Sequence, residues 1–250
     1  MSLVLILSSH VAASAVGGSA QVVILARQGV DTVLAPTVLF GRHPGLGPPG
    51  GGAVSAEVFA GMLEGVEADG VLARVDAVIT GYFASAAQVR ATAEVLDRVN
   101  PAARIIVDPI MGDAPKGLYV PEDVAVAIAR DLVPRAHLVA PNAWELSRLT
   151  GRDLSDPVGA ARSLGRPVLV SSISLGDEIG VIFADADQAW LAAHPRQATA
   201  PNGTGDRLTA LFTAGLLQGQ NPSKTLLTAT QSIASNLAPG AVVRLQSLTR

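Results

Sequence analysis

Arg104-Ile105-Ile106-Val107-Asp108-Pro109 opens the stretch that decides the fold. Its apolar residues are consecutive, not alternating, and a proline ends it. A helical segment follows from Glu122 to Leu132. His137-Leu138-Val139-Ala140 then repeats the first pattern and is closed by Pro141. A strand apolar on successive residues is covered on both faces, and a helix between two such strands marks a parallel crossover. Outward from this unit, Leu3 to Leu7, Val30 to Ala35, Val75 to Thr80 and Pro167 to Ser171 read as strands of the same kind. Helices are predicted from about Gly18 to Gln28, from Ala84 to Val99 and from Ala143 to Thr150. Gly29, Asn100-Pro101 and Gly151 stop them. The alternation predicts an α/β protein of three layers, α/β/α, around a mostly parallel central sheet. With no internal repeat and no linker, residues 1–250 are expected to form one domain. Two regions break the pattern. Gly41 to Gly52 is rich in Gly and Pro, which excludes helix and central strand and predicts a mobile loop. Ile179 to Phe183 and Gln188 to Ala192 flank Ala184-Asp185-Ala186-Asp187, the pattern of a hairpin.

Composition excludes several classes. At 49% hydrophobic residues the chain is too apolar for disorder. The absence of cysteine rules out a disulfide scaffold, a thiolate zinc site and a thiol nucleophile. Eighteen basic against 21 acidic residues leave a net charge of −3, without the basic footprint of a nucleic-acid partner. Mean hydropathy is positive, +0.39. The apolar residues are nevertheless dispersed, and no run reaches the roughly 18–20 residues of a spanning helix. Leu3 to Leu7 has no basic residue before it and reads as a buried strand, not as a leader. A cytoplasmic protein is the expectation.

Sheets of this type bind ligands at the carboxyl ends of their strands, and polar residues cluster there. Asp108 follows one strand, Asn142 another, and Ser171 and Ser172 a third. The sharpest constellation is Pro201-Asn202-Gly203-Thr204-Gly205-Asp206, followed by an apolar run of helical period. A glycine turn at a helix N-terminus presents backbone N–H groups to an anion, and Asp206 in the first turn suits the helix dipole. The same residues also fit an ordinary helix cap. Asn142 and Glu145, three apart, open a helix on one face; they fit either a ligand-binding pair or a reciprocal cap. Asp108 before Pro109 fits a turn as well as a site. Oxygen donors of this kind suit a hard cation together with phosphates and water. His10, His137 and His194 lack partners at metal-ligand spacing, and Trp144 and Trp190 read as packing residues.

In order along nearly the whole chain, the motifs are Ser9-His10-Val11, Gly17-Gly18-Ser19-Ala20, Val38-Leu39-Phe40 with His43, Gly81-Tyr82, Asp108-Pro109-Ile110-Met111-Gly112, Lys116-Gly117-Leu118-Tyr119-Val120, Pro141-Asn142-Ala143-Trp144-Glu145-Leu146 and Gly203-Thr204-Gly205-Asp206. This ordered set resembles the pyridoxal kinases of the ribokinase-like superfamily. The resemblance implies transfer of the ATP γ-phosphoryl group to the 5′-hydroxyl of pyridoxal, pyridoxine or pyridoxamine. It makes Asp206 the general base and the N–H groups of Gly203, Thr204 and Gly205 the anion hole. Asp108 and Glu145 would organise Mg²⁺, through water, with Asn142 near the phosphates. Ser171 and Ser172 would reach the nucleotide phosphates, and Asp113 and Tyr119 would lie in a flap over the nucleotide. Thr204 also counts among the residues on ATP. Ser9, Val16, His43 and Tyr82 would line the vitamer pocket. A homodimer and a monovalent cation such as K⁺ belong to the same expectation.

The chain departs from that pattern at Ala13, at Ala140 and in the loop after His43, where Gly and Pro replace polar and aromatic residues. These changes lie mostly on the substrate side and leave the base, the anion hole and the carboxylates intact. The alternatives are a hydroxymethylpyrimidine kinase, a kinase of another small alcohol, or a non-catalytic ligand-binding relative.

Overall fold

The computed structural model describes residues 1–198 and 201–249. Its first half runs β1 (Leu3–Val11), α1 (Gly17–Arg27), β2 (Asp31–Phe40), β3 (Gly51–Ala53), α2 (Ala56–Ala68), α3 (Val71–Arg74), β4 (Ala77–Thr80), α4 (Ala86–Leu96), β5 (Arg104–Val107), β6 (Gly112–Asp113), β7 (Gly117–Leu118) and α5 (Glu122–Ala127). Then come β8 (Leu138–Val139), α6 (Ala143–Thr150), α7 (Pro157–Arg162), β9 (Val168–Leu175), β10 (Glu178–Ala184), β11 (Ala189–Pro195), α8 (Thr204–Leu217), α9 (Pro222–Leu237) and β12 (Arg244–Ser247). Ten strands form one sheet in the order β12-β11-β10-β9-β8-β5-β4-β1-β2-β3, and β6 pairs with β7 in a small separate hairpin. The centre, from β2 to β9, is parallel. Antiparallel strands complete both edges.

The consecutive apolar residues of the inner strands do what their pattern requires. On β1, Leu5 and Leu7 enter a core with Phe59, Leu63, Val89 and Val124, contributed by α2, α4 and α5. Val4 and Ile6 enter the opposite core with Ile24, Phe212, Leu226 and Ile233, contributed by α1, α8 and α9. Period-two side-chain direction thus divides one apolar run between two helix layers. The expected three-layer α/β/α architecture with a mostly parallel sheet is the one observed. A third, smaller cluster lies under α6 and α7 around Leu146, Val168 and Leu191.

Several boundaries differ from the reading of the sequence. β1 continues past Leu7 because Ser8, His10 and Val11 keep pairing with β2. The helix expected over 122–132 is α-helical only to Ala127, and Ile128–Leu132 form a π turn. The 41–52 segment is not a free loop throughout. Pro44–Leu46 form a 3-10 turn, and Gly51–Ala53 join the sheet as an edge strand. The predicted hairpin is β10–β11, and His194 lies buried inside its second strand. No helix among the described residues is long and apolar enough to cross a membrane.

Candidate active site

The cleft lies at the carboxyl ends of β1, β4, β5, β8 and β9, opposite the first turn of α8. Gly203 caps α8 with φ 88°, and a Cβ there would stand 2.3 Å from the Ala15 carbonyl oxygen. Only glycine permits this turn. The amides of Gly203, Thr204 and Gly205 have no acceptor among the described residues, and a Cβ on Gly205 would meet open space. They form an anion-binding helix start of the predicted kind. Asp206 follows in the first turn. The Gly17 N–H donates to its Oδ2 at 2.8 Å, whereas its Oδ1 is buried without a partner. Burial raises the Asp206 carboxyl above the ordinary carboxylate range, against the pull of the Gly17 amide.

Asp108, at the end of β5, is buried and accepts a hydrogen bond from Thr209 Oγ1 at 2.7 Å. Burial raises its pKa well above the usual value, and the charges of Asp206 and Glu145 add to the effect. Two residues on, Ile110 takes φ 37°. That is a strained conformation for a β-branched side chain, of the kind that persists where surrounding structure enforces it. Glu145 is 2% exposed. Its Oε1 accepts from the Met111 and Gly112 amides (2.8 and 3.3 Å), and its Oε2 from the Asn142 amide (2.8 Å). Asn142 Oδ1 in return accepts from the Glu145 amide at 2.9 Å, and Asn142 Nδ2 donates to the Gly112 carbonyl at 2.8 Å. The reciprocal cap considered for this pair is therefore formed. It also welds α6 to the strand that follows Asp108. Burial pushes Glu145 up to about 7 in spite of three amide donors.

The β6–β7 hairpin carries Asp113 and leads into Tyr119. Asp113 Oδ1 is buried without a partner, and Lys116 Nζ lies 3.7 Å from its Oδ2. The pKa of the Tyr119 phenol is driven upward by burial first, and then by the charges of Glu145, Asp108, Asp113 and Asp206. Gly112 has no room for a side chain because Trp144 packs against it, 2.3 Å from a built Cβ. This is the packing role expected of Trp144. Ser171 pairs with Asn142 across an isolated bridge and donates its amide to the Pro141 carbonyl at 3.0 Å. Ser172 sits at φ 63°, in the β9 bulge beside it.

On the opposite wall, Ser9 lies near the end of β1 and is buried, and Val16 caps α1 and lies against Gly203. The Tyr82 amide donates to Ser8 Oγ at 3.3 Å, and its carbonyl accepts from Thr37 Oγ1 at 2.6 Å. His43 Nδ1 accepts from the Gly45 amide at 3.0 Å and lies 3.3 Å from Asn202 Nδ2. Two donors on one ring nitrogen assign the proton to Nε2. Burial first, and Lys116 second, lower the His43 pKa. The structure therefore joins the His43 loop to the segment that leads into Gly203. Gly17, Thr209, Thr37 and Asn202 hold the predicted residues in place and were not foreseen. Gly17 and Asn202 stand in motifs of the sequence, but neither motif indicated these contacts, and Thr209 and Thr37 carried no signal.

Among the described residues no three His, Cys, Asp or Glu side chains form a metal cage. The donor set nevertheless fits a hard cation. Asp108, Glu145 and Asp206 are oxygen donors crowded closely enough to raise one another or be raised by burial, and a cation among them would relieve that strain.

Comparison with known proteins places this arrangement. A family model described as Phosphomethylpyrimidine kinase matches residues 52–246. The chain belongs to that family. Within it, the chain is similar to the pyridoxine/pyridoxal/pyridoxamine kinase of Bordetella avium, 36% identical over 244 residues that cover 92% of this chain and 82% of the relative. It is similar to the pyridoxal kinase PdxY of Deinococcus radiodurans, 33% identical over 243 residues, 89% of this chain and 82% of that protein. The crystal structure of pyridoxal kinase from Entamoeba histolytica superposes with a TM-score of 0.89 at 26% identity, over 95% of this chain and 89% of that one. The resemblance to pyridoxal kinases and the ribokinase-like fold are thereby borne out.

Proposed function

We propose that the protein is an ATP-dependent kinase of B6 vitamers, acting as one catalytic domain on the 5′-hydroxyl of pyridoxal, pyridoxine or pyridoxamine. The observation that carries this reading is the state of Asp206. One of its oxygens is pinned by Gly17, and the other is buried and unpartnered beside three open amides. A carboxylate raised by burial, one oxygen fixed, suits removal of a hydroxyl proton. The acceptor oxygen bonds to the γ-phosphorus as the bond from that phosphorus to the bridging oxygen breaks. ADP leaves, and the hydroxyl proton passes to Asp206. The amides of Gly203, Thr204 and Gly205 stabilise the charge on the moving phosphoryl group, the usual source of rate in such transfers.

Asn142, Ser171 and Ser172 line the phosphate path, and Asp113 and Tyr119 cover the nucleotide. Ser9, Val16, His43 and Tyr82 receive the vitamer ring, with His43 Nε2 as a donor and Tyr82 as a stacking surface. Asp108 and Glu145 would hold Mg²⁺ through water, and the ion would neutralise phosphate charge. A monovalent cation such as K⁺, a homodimer and a cytoplasmic location complete the proposal on the strength of the family resemblance.

The matching family model supports a second reading, a kinase of hydroxymethylpyrimidine, and the Gly-rich loop beside His43 leaves room for a different ring. ADP release with a panel of alcohols decides between them. Turnover of at least one B6 vitamer well above that of hydroxymethylpyrimidine is expected. No activity on the three vitamers, with turnover of the pyrimidine, overturns the first reading.

A further inference from the structure

A second concavity is bordered by residues 10–15, and none of Ser9, His43 and Asp206 lines it. It encloses about 460 Å³ between that segment, the outer face of α1 and the start of α8. Arg27 and Arg207 both border it. Neither guanidinium has an ion-pair or side-chain hydrogen-bond partner among the described residues, whereas Arg98, Arg135, Arg148 and Arg244 each lie on a carboxylate. His10 is the third polar group. Ser19 Oγ accepts the Val11 amide at 2.9 Å and shares a hydrogen bond with His10 Nδ1 at 3.1 Å, and His10 Nε2 has no partner among the described residues. The remaining wall is apolar, with Ala12, Ala13, Val23 and Ile24.

We propose that this groove binds a small organic phosphate monoester. Two unpaired guanidinium forks match phosphate oxygens better than they match a single carboxylate. The volume exceeds what inorganic phosphate fills, and the apolar wall suits a ring or short chain attached to it. The groove is coupled to the cleft by covalent chain. Its wall residue Ala15 presents the carbonyl that Gly203 packs against, and two residues on, Gly17 holds Asp206. Arg207 is the residue after the base. Occupancy therefore bears on the catalytic turn. The binding claim stands independently of the kinase reading, and only the effect on turnover rests on it.

Calorimetric titration with phenyl phosphate tests the site, with inorganic phosphate and phenol as the two half-ligands. The expected result is one equivalent bound per chain, more weakly for phosphate and not measurably for phenol, with affinity falling as KCl is raised. Arg27→Gln/Arg207→Gln should weaken binding at least tenfold, the exposed single change Arg27→Gln by roughly threefold, and Asp206→Asn by less than twofold. Circular dichroism checks that each variant is folded. Equal binding by the double variant, loss of binding in Asp206→Asn, or no binding at millimolar ligand overturns the proposal. So does a change of oligomeric state in Arg27→Gln/Arg207→Gln, which would make the groove a contact between copies of the chain. Phosphate binding that persists while no alcohol is phosphorylated would sink the kinase reading and leave the groove standing.

Discussion

The two walls of the cleft are built in opposite ways. The wall around Asp108, Glu145 and Asp206 stands on buried strand ends and helix starts. Its carboxylates are tied by backbone amides and by Thr209, and Gly112 and Gly203 are there because a neighbouring atom leaves no space. The wall around His43 stands on a sheet edge whose last strand is three residues long and exposed, with Gly50 and Gly52 facing open space. Chemistry that depends on charge in a low-dielectric site needs fixed geometry. Recognition of a ring can be retuned by a loop without disturbing it. Two of the departures from the pyridoxal kinase pattern, Ala13 and the loop after His43, fall on the second wall, whereas Ala140 is buried at the end of β8 beside the first.

The comparison can be broken at several points. The largest effect is expected from Asp206→Asn, which should lower turnover at least about 100-fold while leaving binding of a non-hydrolysable ATP analogue within about twofold. A fall of less than about tenfold in ADP release would remove Asp206 from the role of base. Next is pH. Burial places the Glu145 carboxyl at about 7 in the folded protein, against 4.5 for its ordinary value. The native state then holds a proton that the unfolded chain has lost, so stability falls as pH rises from about 4.5 to about 7, by roughly 3 kcal/mol. Asp108, raised in the same sense, adds to the slope. Urea midpoints across this range should fall in the wild type and flatten in Glu145→Gln. Mg²⁺ should restore stability more at pH 8 than at pH 5, and an equal effect at both would count against a cation among these carboxylates.

Smaller effects separate the glycines of the two walls. Gly203→Ala places a Cβ against the Ala15 carbonyl at φ 88° and should cost about 1–3 kcal/mol in urea unfolding, with loss of turnover. Gly52→Ala, with nothing within 4 Å, should stay within about 0.5 kcal/mol and change KM more than kcat. Equal costs for the two would show that the walls do not differ in rigidity.

The fold was legible where packing demands are local. Leu3–Leu7, Ile105–Val107 and Leu138–Val139 announce strands covered on both faces, and Gly29 and Gly151 end helices at positive φ. Other elements carried no such signal. α2 contains Gly61 and Gly65 and buries only Phe59 and Leu63; α9 is rich in Ser and Thr, both modest helix formers. β12 is mostly exposed and exists through its pairing with β11. In the site, the carboxylates and the glycine turn were readable because their chemistry needs those residue types. Gly17 and Thr209 were not, since an amide or a hydroxyl acquires its role only from what lies opposite, 189 and 101 residues away along the chain.

The sequence by itself determined the layered α/β architecture, the order of the motifs and the identity of the charged groups, because apolar periodicity and residue chemistry are properties of short segments. The tertiary structure alone decided which atoms those groups meet. It pinned one oxygen of Asp206 and left the other bare. It turned Glu145 into both a cap and a buried acid, and it brought Arg27 and Arg207 to one groove. Contacts between distant segments arise from the packing of whole layers, and no local pattern encodes them.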